Sequence, residues 1–438
     1  MVEKIVIIGA GPSGVLLALY LLQRSDRYQI DLYDRLGDPR ALEFSNARTY
    51  PITLTERGLS AIAPIEGLEA AVRAISLETN GTVFHQQKGK TRVTSRKKSL
   101  LTLDRTNLVI TLLQQLTEKY DQSRINLHFG HVCTDVNFAD QSVTFQPKAQ
   151  TSESTDANLT VNYDRLIGAD GARSAVRSQF LNTEMFEIKQ KYIPNVYKSL
   201  VLSDVNQASA PYLESGKVHS WGTRDGIVVL LLYQADGSMS GVIYFPRHNT
   251  QVVNLKTSEA VLQFFHQNFP EVGQLMSQSE AEAFTKRAVS SALTIRCNRY
   301  HYGDRVLILG DAAHATSPSL GQGCNAALED VAIFDHLLNE FTDGWASAIA
   351  QFTVRRKVDA HALVELSDNS LPSSSKLFIE FMIRARLAKM LHQFSPNRFS
   401  PSLFELITES SMPYSEILDR YKGWIAKVKK SNQLSEMQ

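Results

Sequence analysis

A short glycine-rich segment close to the start of the chain constrains the fold more than any other feature. The β-branched run Lys4 to Ile8 leads into Gly9-Ala10-Gly11-Pro12-Ser13-Gly14, and an apolar, leucine-rich stretch follows as far as Arg24. This pattern predicts a buried parallel strand, a tight turn and a helix. A second strand, Gln29 to Tyr33, would complete a βαβ unit, so we expect a Rossmann-like α/β fold.

The same segment predicts a dinucleotide site. Glycines in the turn let a pyrophosphate approach the backbone, and the N-terminus of the helix attracts its negative charge. Asp34 follows Gly14 by twenty residues, at a strand end where a carboxylate can accept hydrogen bonds from ribose hydroxyls. The alternative is that the glycines serve only helix packing and that Asp34 is a solvated strand end. That alternative does not explain why the glycines and Asp34 occur together at this spacing. The motif alone does not separate FAD from NAD.

Composition narrows the class of protein further. The chain has 438 residues, 43% of them hydrophobic, which is enough for two or three globular domains. Lys and Arg number 46 against 45 Asp and Glu, so no electrostatic footprint for nucleic acid stands out. The three cysteines Cys133, Cys297 and Cys324 form no CxxC pair, which favours a reducing compartment, the cytoplasm by default, and no metal site. We expect no signal peptide and no transmembrane segment.

Two later segments repeat the change from strand to loop to helix. Tyr163 to Arg177 carries the turn Asp170-Gly171, and we expect a basic helix after it. Val306 to Leu309 leads into Gly310-Asp311-Ala312-Ala313-His314, then into Gly321-Gln322-Gly323 and a predicted helix from about Asn325 to Phe341. These three motifs, in this order, resemble the class A FAD-dependent aromatic hydroxylases typified by p-hydroxybenzoate hydroxylase.

The resemblance covers nearly the whole chain when the kynurenine 3-monooxygenase family is considered. Four further stretches are similar to that family: Ala47 to Gly58, Asp104 to Leu108, Tyr192 to Leu200 and Pro413 to Glu416. The resemblance implies an FAD-dependent monooxygenase that uses NADPH or NADH as a transient reductant. Oxygen would add at C4a of the reduced flavin, and the hydroperoxyflavin would transfer one oxygen atom to an electron-rich ring. Because the flavin carries this chemistry, no catalytic side chain is assigned.

The resemblance also implies a set of FAD contacts. Asp311 would bind the ribityl chain, and backbone amides after Pro318 would lie near flavin O2. We expect His314 to satisfy local backbone groups, since no partner is evident nearby, and Cys324 to pack as a small residue beside the flavin. The implied cofactor-binding residues are Gly9, Gly11, Pro12, Ser13, Gly14, Asp34, Arg35, Arg48, Arg105, Val132, Asp170, Asp311, Gly321, Gly323, Cys324 and Asn325.

The substrate positions depart from the family. Its arginine for the substrate carboxylate falls at Thr82, its pocket tyrosines at Ser99 and Phe404, and its pocket asparagine at Ser370. Losing the charged half of an arginine–carboxylate pair would leave a zwitterionic amino acid poorly held. Arg73 and Arg92 flank Thr82 and could reach the same place, although a role as surface charges is the simpler interpretation. We therefore expect a more apolar aromatic or heteroaromatic substrate.

We expect three FAD-binding segments (residues 1–75, 106–180 and 296–345), a substrate-domain segment (76–105), an antiparallel-sheet substrate domain (181–295) and a helical C-terminal region (346–438). The polar stretch Lys148 to Asn158 is predicted to be an exposed hairpin insertion, and the chain to end in a polar tail.

Two other interpretations of the function stay open. A flavin-dependent halogenase or polyprenyl reductase shares the motifs, although the halogenase Trp-x-Trp-x-Ile-Pro segment is absent. A non-catalytic escort-type carrier on the same fold need not keep Asp170 and Asp311. Oligomeric state is not predicted.

Overall fold

The protein is described here from a computed structural model, which covers residues 2–41, 50–86, 91–148, 158–203, 205, 210, 212–372 and 374–436. The strands are β1 Glu3–Ile8, β2 Tyr28–Asp34, β3 Pro51–Leu54, β4 Leu77–His85, β5 Thr91–Asp104, β6 Ile125–Phe129, β7 His131–Asn137, β8 Ser142–Pro147, β9 Leu159–Asn162, β10 Arg165–Gly168, β11 Ile188–Leu202, β12 Val218–Gly222, β13 Val228–Tyr233, β14 Met239–Pro246, β15 Ser290–Cys297, β16 His301–Tyr302 and β17 Val306–Ile308.

The helices are α1 Pro12–Arg24, α2 Glu56–Ile62, α3 Leu68–Ala74, α4 Arg105–Lys119, α5 Ala175–Phe180, α6 Ser258–Asn268, α7 Pro270–Gly273, α8 Gln278–Lys286, α9 Asp311–His314, α10 Gly323–Glu340, α11 Trp345–Asn369, α12 Ser375–Phe394, α13 Leu403–Glu409 and α14 Tyr414–Glu436. A short 3-10 helix, Pro318–Leu320, precedes α10. Most predicted elements are present, with ends that differ by a few residues.

A six-stranded sheet carries the predicted βαβ unit. Its order is β16-β17-β10-β1-β2-β6, and all pairs except β16 with β17 are parallel. β1 lies between two other strands, which explains why Val6 and Ile7 are fully buried and why the run is apolar throughout. In a parallel sheet the carboxyl ends meet at one edge, so the turns after β1, β2, β10 and β17 lie side by side.

An eight-stranded sheet forms the second layer, in the order β15-β11-β14-β13-β12-β4-β5-β3. It is antiparallel apart from the parallel pair of β4 and β12. One face packs on α6 and α8 through an apolar core that includes Phe265 and Phe284. Leu293 and Ile295 of β15 belong to the core of the first sheet, so the two sheets are packed together. This arrangement confirms the predicted second sheet.

The remaining elements flank these sheets. The three-stranded sheet β7-β8-β9 packs beside β2, where Phe145 stacks on Tyr33 with ring centroids 3.9 Å apart. The centre of the predicted insertion, residues 149–157, lies outside the described residues. The predicted helical C-terminus is confirmed: in α14, Tyr414, Ile417 and Val428 fall on one face and pack in a core with α11 and α13.

Candidate cofactor and substrate site

Three loops converge at the carboxyl edge of the six-stranded sheet. Gly9 N donates to Tyr33 O over 2.7 Å, Ala169 N to Ile8 O over 2.8 Å, and Leu309 N to Gly168 O over 3.1 Å. These bonds continue the pairing of the strands past their ends. The segments that contain Asp34, Asp170 and Asp311 are therefore adjacent, as the three-motif interpretation requires.

The first turn needs glycine for steric reasons. Gly9 has φ +110°, and a Cβ atom there would lie 2.3 Å from Ala169 O. A Cβ atom at Gly14 would lie 2.0 Å from Gly9 O. The N-terminus of α1 follows, and no side chain caps it. Its first N–H groups are thus available to an anion, which is what the pyrophosphate of a dinucleotide requires.

The side chain of Asp34 is fixed beside this turn. Its Oδ2 accepts from Ala10 N and its Oδ1 from Leu36 N, both over 2.8 Å. Each carboxylate oxygen can accept a second hydrogen bond, so the group can still bind a ribose hydroxyl. Arg35 is exposed next to it, and Val132 lies in β7, just beyond the β6 residue that pairs with Asp34. Arg48 lies outside the described residues.

Charged groups from distant parts of the sequence gather on the other side of the turn. Arg105 Nη2 would lie 3.5 Å from a Cβ atom at Gly11, and Asp311 Oδ1 would lie 4.0 Å from one at Gly323. Burial lowers the pKa of Arg105, but nearby acidic groups, including Asp311 and Asp34, raise that pKa overall. Burial raises the pKa of Asp311, although its side chain is open to the cleft. Burial likewise raises the pKa of the Cys324 thiol to about 12, which keeps it neutral.

The second motif is tied to the third by a buried arginine. Asp170 Oδ2 accepts from Ala175 N over 2.6 Å, so this carboxylate caps α5, and burial raises its pKa. Arg177 donates to Ala172 O over 2.8 Å and to Ala312 O over 2.9 Å. It therefore locks the turn after β10 onto the turn after β17.

The expectation for His314 is wrong, because the chain does supply a partner. His314 is buried, and its Nε2 lies 2.7 Å from Oδ2 of Asp330 in α10. Asp330 also accepts from Gly310 N over 2.7 Å and from Arg356 Nε over 2.6 Å. Burial raises the pKa of Asp330, but His314 and Arg356 lower it overall, so the carboxylate is ionised and the His314 Nε2–H donates. This network positions the backbone just before Asp311.

The side-chain amide of Asn325 is hydrogen-bonded to backbone groups of the protein. Its side chain is fully buried, donates to Thr53 O over 2.8 Å and to Gly321 O over 3.2 Å, and accepts from Thr55 N over 2.8 Å. These bonds clamp β3 against the start of α10. Gly321, with φ +65°, makes the preceding turn. Since no side chain caps α10, its first N–H groups are open to an anion at the same place.

A tyrosine row on the eight-stranded sheet extends from the cleft and was not predicted. Tyr197 and Tyr244 are paired across β11 and β14, on the face opposite α6 and α8. Tyr50 contacts Tyr197 with ring centroids 6.3 Å apart, and Tyr197 contacts Tyr244 at 5.8 Å. Burial raises the pKa of Tyr50 and Tyr244, so both are neutral. The alternation of residues in Tyr192 to Leu200 carried the signal, since Tyr197 points away from buried Val196 and Lys198.

The predicted substrate positions differ in their surroundings. Thr82 lies on the same sheet face as the tyrosine row, directly opposite Thr94 of β5. Ser99 is exposed and lines a cavity of about 340 Å³ beside α13. Ser370 is fully buried, with its hydroxyl bonded to Leu366 O over 2.5 Å. Phe404 packs on Phe381, with ring centroids 5.7 Å apart.

Besides Arg73 and Arg92, a third arginine, Arg96, contacts α13 near these positions. Arg73 bonds to Glu69 on the surface of α3, and Arg92 is exposed. Arg96 was not singled out from the sequence, because Arg96-Lys97-Lys98 reads as a solvated charge run. Its Nη1 donates to Thr408 Oγ1 of α13 over 3.1 Å. Burial lowers its pKa even though Glu409 is near enough to raise it.

The fold and the cleft together define a dinucleotide-binding flavoprotein with a second, largely antiparallel sheet. The sequence profile of the FAD binding domain family matches residues 3–367. Kynurenine 3-monooxygenase of Drosophila willistoni is 30% identical over 96% of this chain and 90% of that protein, and that of Sus scrofa is 29% identical over 97% and 88%. The chain belongs to the FAD binding domain family, among the FAD-dependent aromatic hydroxylases.

Solved structures agree on the fold. 2-Methyl-3-hydroxypyridine-5-carboxylic acid oxygenase superimposes with a TM-score of 0.65 over 93% of this chain and 96% of that one, at 16% identity. Klebsiella pneumoniae HpxO, complexed with FAD and uric acid, gives a TM-score of 0.63 over 98% and 97%, at 17% identity.

This chain is therefore an FAD-dependent monooxygenase. Across the part of the chain described here, none of the helices combines the length and the apolar character needed to span a bilayer.

Proposed function

We propose that the chain hydroxylates an aromatic or heteroaromatic small molecule that lacks the amino-acid head group of kynurenine. One observation carries this proposal: the sheet face beside the cleft presents the neutral pair Thr82 and Thr94, where the family resemblance implies an arginine. A zwitterionic ligand there would give up water around its carboxylate without gaining an ion pair from either threonine.

The residues at the strand edge fit FAD, and we propose which part of the cofactor each group would hold. The turn at Gly9 and the N-terminus of α1 would hold the pyrophosphate, Asp34 a ribose, and Asp311 with Arg105 the part of the cofactor nearer the tyrosine row. The redox chemistry, in which O2 is reduced with electrons from NADPH or NADH, is what bound FAD supplies.

The chain's own contribution is to position the substrate and exclude water. Tyr50, Tyr197 and Tyr244 provide neutral aromatic surface, which packs against a flat ring and adds no charge. Exclusion of water matters because electrostatic interactions between protein dipoles and the reacting atoms are stronger in a dry site. We propose that the eight-stranded sheet and α13 enclose the ring between them.

Arg96 adds one polar contact with the substrate to this proposal. It is a half-buried guanidinium two residues along β5 from Thr94, and its bond to the neutral hydroxyl of Thr408 leaves other donors available. We propose that it binds a single acidic or carbonyl oxygen substituent of the substrate. Arg96→Lys keeps the charge but loses the planar fork of donors, so we expect a raised KM with little change in kcat, whereas Arg92→Lys should change neither.

The test is a panel of aromatic compounds scored by stimulated NADPH consumption and by a product mass raised by one oxygen atom. We expect aromatic or heteroaromatic compounds without an amino-acid group to stimulate turnover, and L-kynurenine to do so poorly. Tight, carboxylate-dependent binding of L-kynurenine in a flavin absorbance titration would refute the substrate class while leaving the monooxygenase activity intact.

The compartment is a separate proposal. Cys133, Cys297 and Cys324 are all free thiols, and free thiols persist in a reducing environment. We propose the cytoplasm on this basis. Measurement of the three thiols in protein isolated under alkylating conditions checks it, and a disulfide between any two of them would contradict it.

A further inference from the structure

A buried hydrogen bond joins helix α14 to the loop in front of α10. Gln322 directly precedes α10, and its side chain is buried, with 1% exposure. Its Oε1 accepts from the Tyr414 hydroxyl over 3.0 Å, across 92 residues of sequence. Its Nε2 donates to Leu320 O of the same loop over 3.4 Å. Tyr414 therefore links α14 to the residue from which α10 begins.

Three other helices fix the position of Tyr414. It is the first residue of α14 and is fully buried. The guanidinium of Arg57, in α2, lies 4.1 Å from the centroid of its ring and bonds to Glu329 of α10 over 2.6 Å. Next in the sequence, Ser415 N donates to Asp359 Oδ1 of α11 over 2.9 Å. Burial raises the pKa of Tyr414, so the hydroxyl keeps its proton and donates it to the hydrogen bond.

The start of α10 borders the cleft where we place the cofactor. A Cβ atom at Gly323 would lie 4.0 Å from Asp311 Oδ1, and Cys324 is near enough to Arg105 for its pKa to respond to that charge. No side chain caps α10, so its N-terminus stabilises negative charge in the cleft. Reduction of FAD by two electrons places negative charge on a ring system that is neutral when oxidised. The position of this N-terminus therefore affects the reduced cofactor more than the oxidised one.

We propose that Tyr414 is a positioning residue for the reduction of FAD: through Gln322 it holds the N-terminus of α10 toward the cofactor and so favours the reduced, anionic form. This inference rests on the FAD site proposed above. Without the hydroxyl, Gln322 Oε1 would stay buried without that donor, and the residue would shift to find another. Gln322 O accepts the first bond of the helix, from Ala326 N over 2.9 Å. A shift of Gln322 would therefore move the first turn of α10.

The test uses the full chain loaded with FAD and without substrate, so it does not depend on the proposed substrate class. Tyr414→Phe removes the hydroxyl and keeps the ring beside Arg57. We expect it to weaken the binding of reduced FAD relative to oxidised FAD by ~5-fold, which is part of what a helix N-terminus contributes to an anion. For a two-electron couple this lowers the midpoint potential by about 20 mV. Anaerobic reductive titration against a reference dye measures the shift, and the affinity for oxidised FAD should change little.

Tyr421→Phe is the matched control. Tyr421 lies in the same helix, but its hydroxyl donates to Pro401 O over 2.6 Å and not to a residue of the FAD-binding loops. Tyr421→Phe should leave the potential unchanged. Gln322→Met removes the acceptor of the Tyr414 bond. If Tyr414 acts through Gln322, adding Tyr414→Phe to Gln322→Met should cause no further shift, whereas independent effects would add.

Three results would overturn the proposal: an unchanged potential in Tyr414→Phe, an equal shift in Tyr421→Phe, or shifts that add in the double variant. Loss of all FAD from Tyr414→Phe while Gln322→Met stays loaded would assign the hydroxyl a structural role and overturn it too. A wild-type chain that binds no FAD would refute the cofactor site together with this role.

Discussion

Substitution of Asp330 by Asn tests how the structure holds the cofactor site in place. Asp330 is fully buried and accepts from Gly310 N, His314 Nε2 and Arg356 Nε at 2.7, 2.7 and 2.6 Å. Removing one charge of a buried pair costs about 3–5 kcal/mol, because the other charge stays buried without its partner. Glu329 still reaches Arg356 at 2.8 Å. We therefore expect Asp330→Asn to lower the free energy of unfolding by about 3 kcal/mol, the low end of that range.

The assay is urea unfolding of the FAD-loaded protein at a fixed excess of FAD, because bound cofactor itself adds stability. The affinity for FAD should fall as well, since Gly310 N loses a charged acceptor beside Asp311. Glu340→Gln is the matched control: it removes an ion pair with Arg355, which joins the same two helices at the exposed surface, and it should change little. If Asp330→Asn unfolds like the wild type, or if Glu340→Gln costs as much, the reasoning is refuted.

Three further outcomes are expected. Gly9→Ala should abolish FAD retention, read as flavin absorbance of the purified protein, because its Cβ would lie 2.3 Å from Ala169 O. Arg105→Leu should weaken FAD binding by at least ~10-fold in a titration of the apoprotein, since charge-assisted bonds contribute about 1.5–3 kcal/mol. Asp31→Asn should flatten the pH dependence of stability in acid. Burial raises the pKa of Asp31, but hydrogen bonds from His128, Asn126 and Lys4 lower it to about 2. The Asp31 carboxylate therefore contributes to the free energy of unfolding above about pH 4, and this contribution is lost as the pH falls toward 2.

Much of the cofactor site could be predicted from the sequence because it depends on local rules. Gly9 and Asp34 lie in or beside one βαβ unit, where turn geometry and the ends of parallel strands dictate residue type at fixed spacing. The motifs at Asp170 and Asp311 obey the same rule, so their order along the chain was enough to place them at one edge. The six-segment division of the chain stays a prediction.

The sequence by itself determined the fold class, the strand edge and the cofactor, because strand period, helix period and glycine turns are set by neighbours in the chain. Only the tertiary structure decided which partners meet across long separations. His314 finds Asp330 sixteen residues away, and Arg96 reaches Thr408 across 312 residues. Such contacts depend on how α10, α11 and α13 pack, and no local pattern encodes that packing. The proposed substrate side of the site is built from contacts of this kind, which is why the sequence predicted it least well.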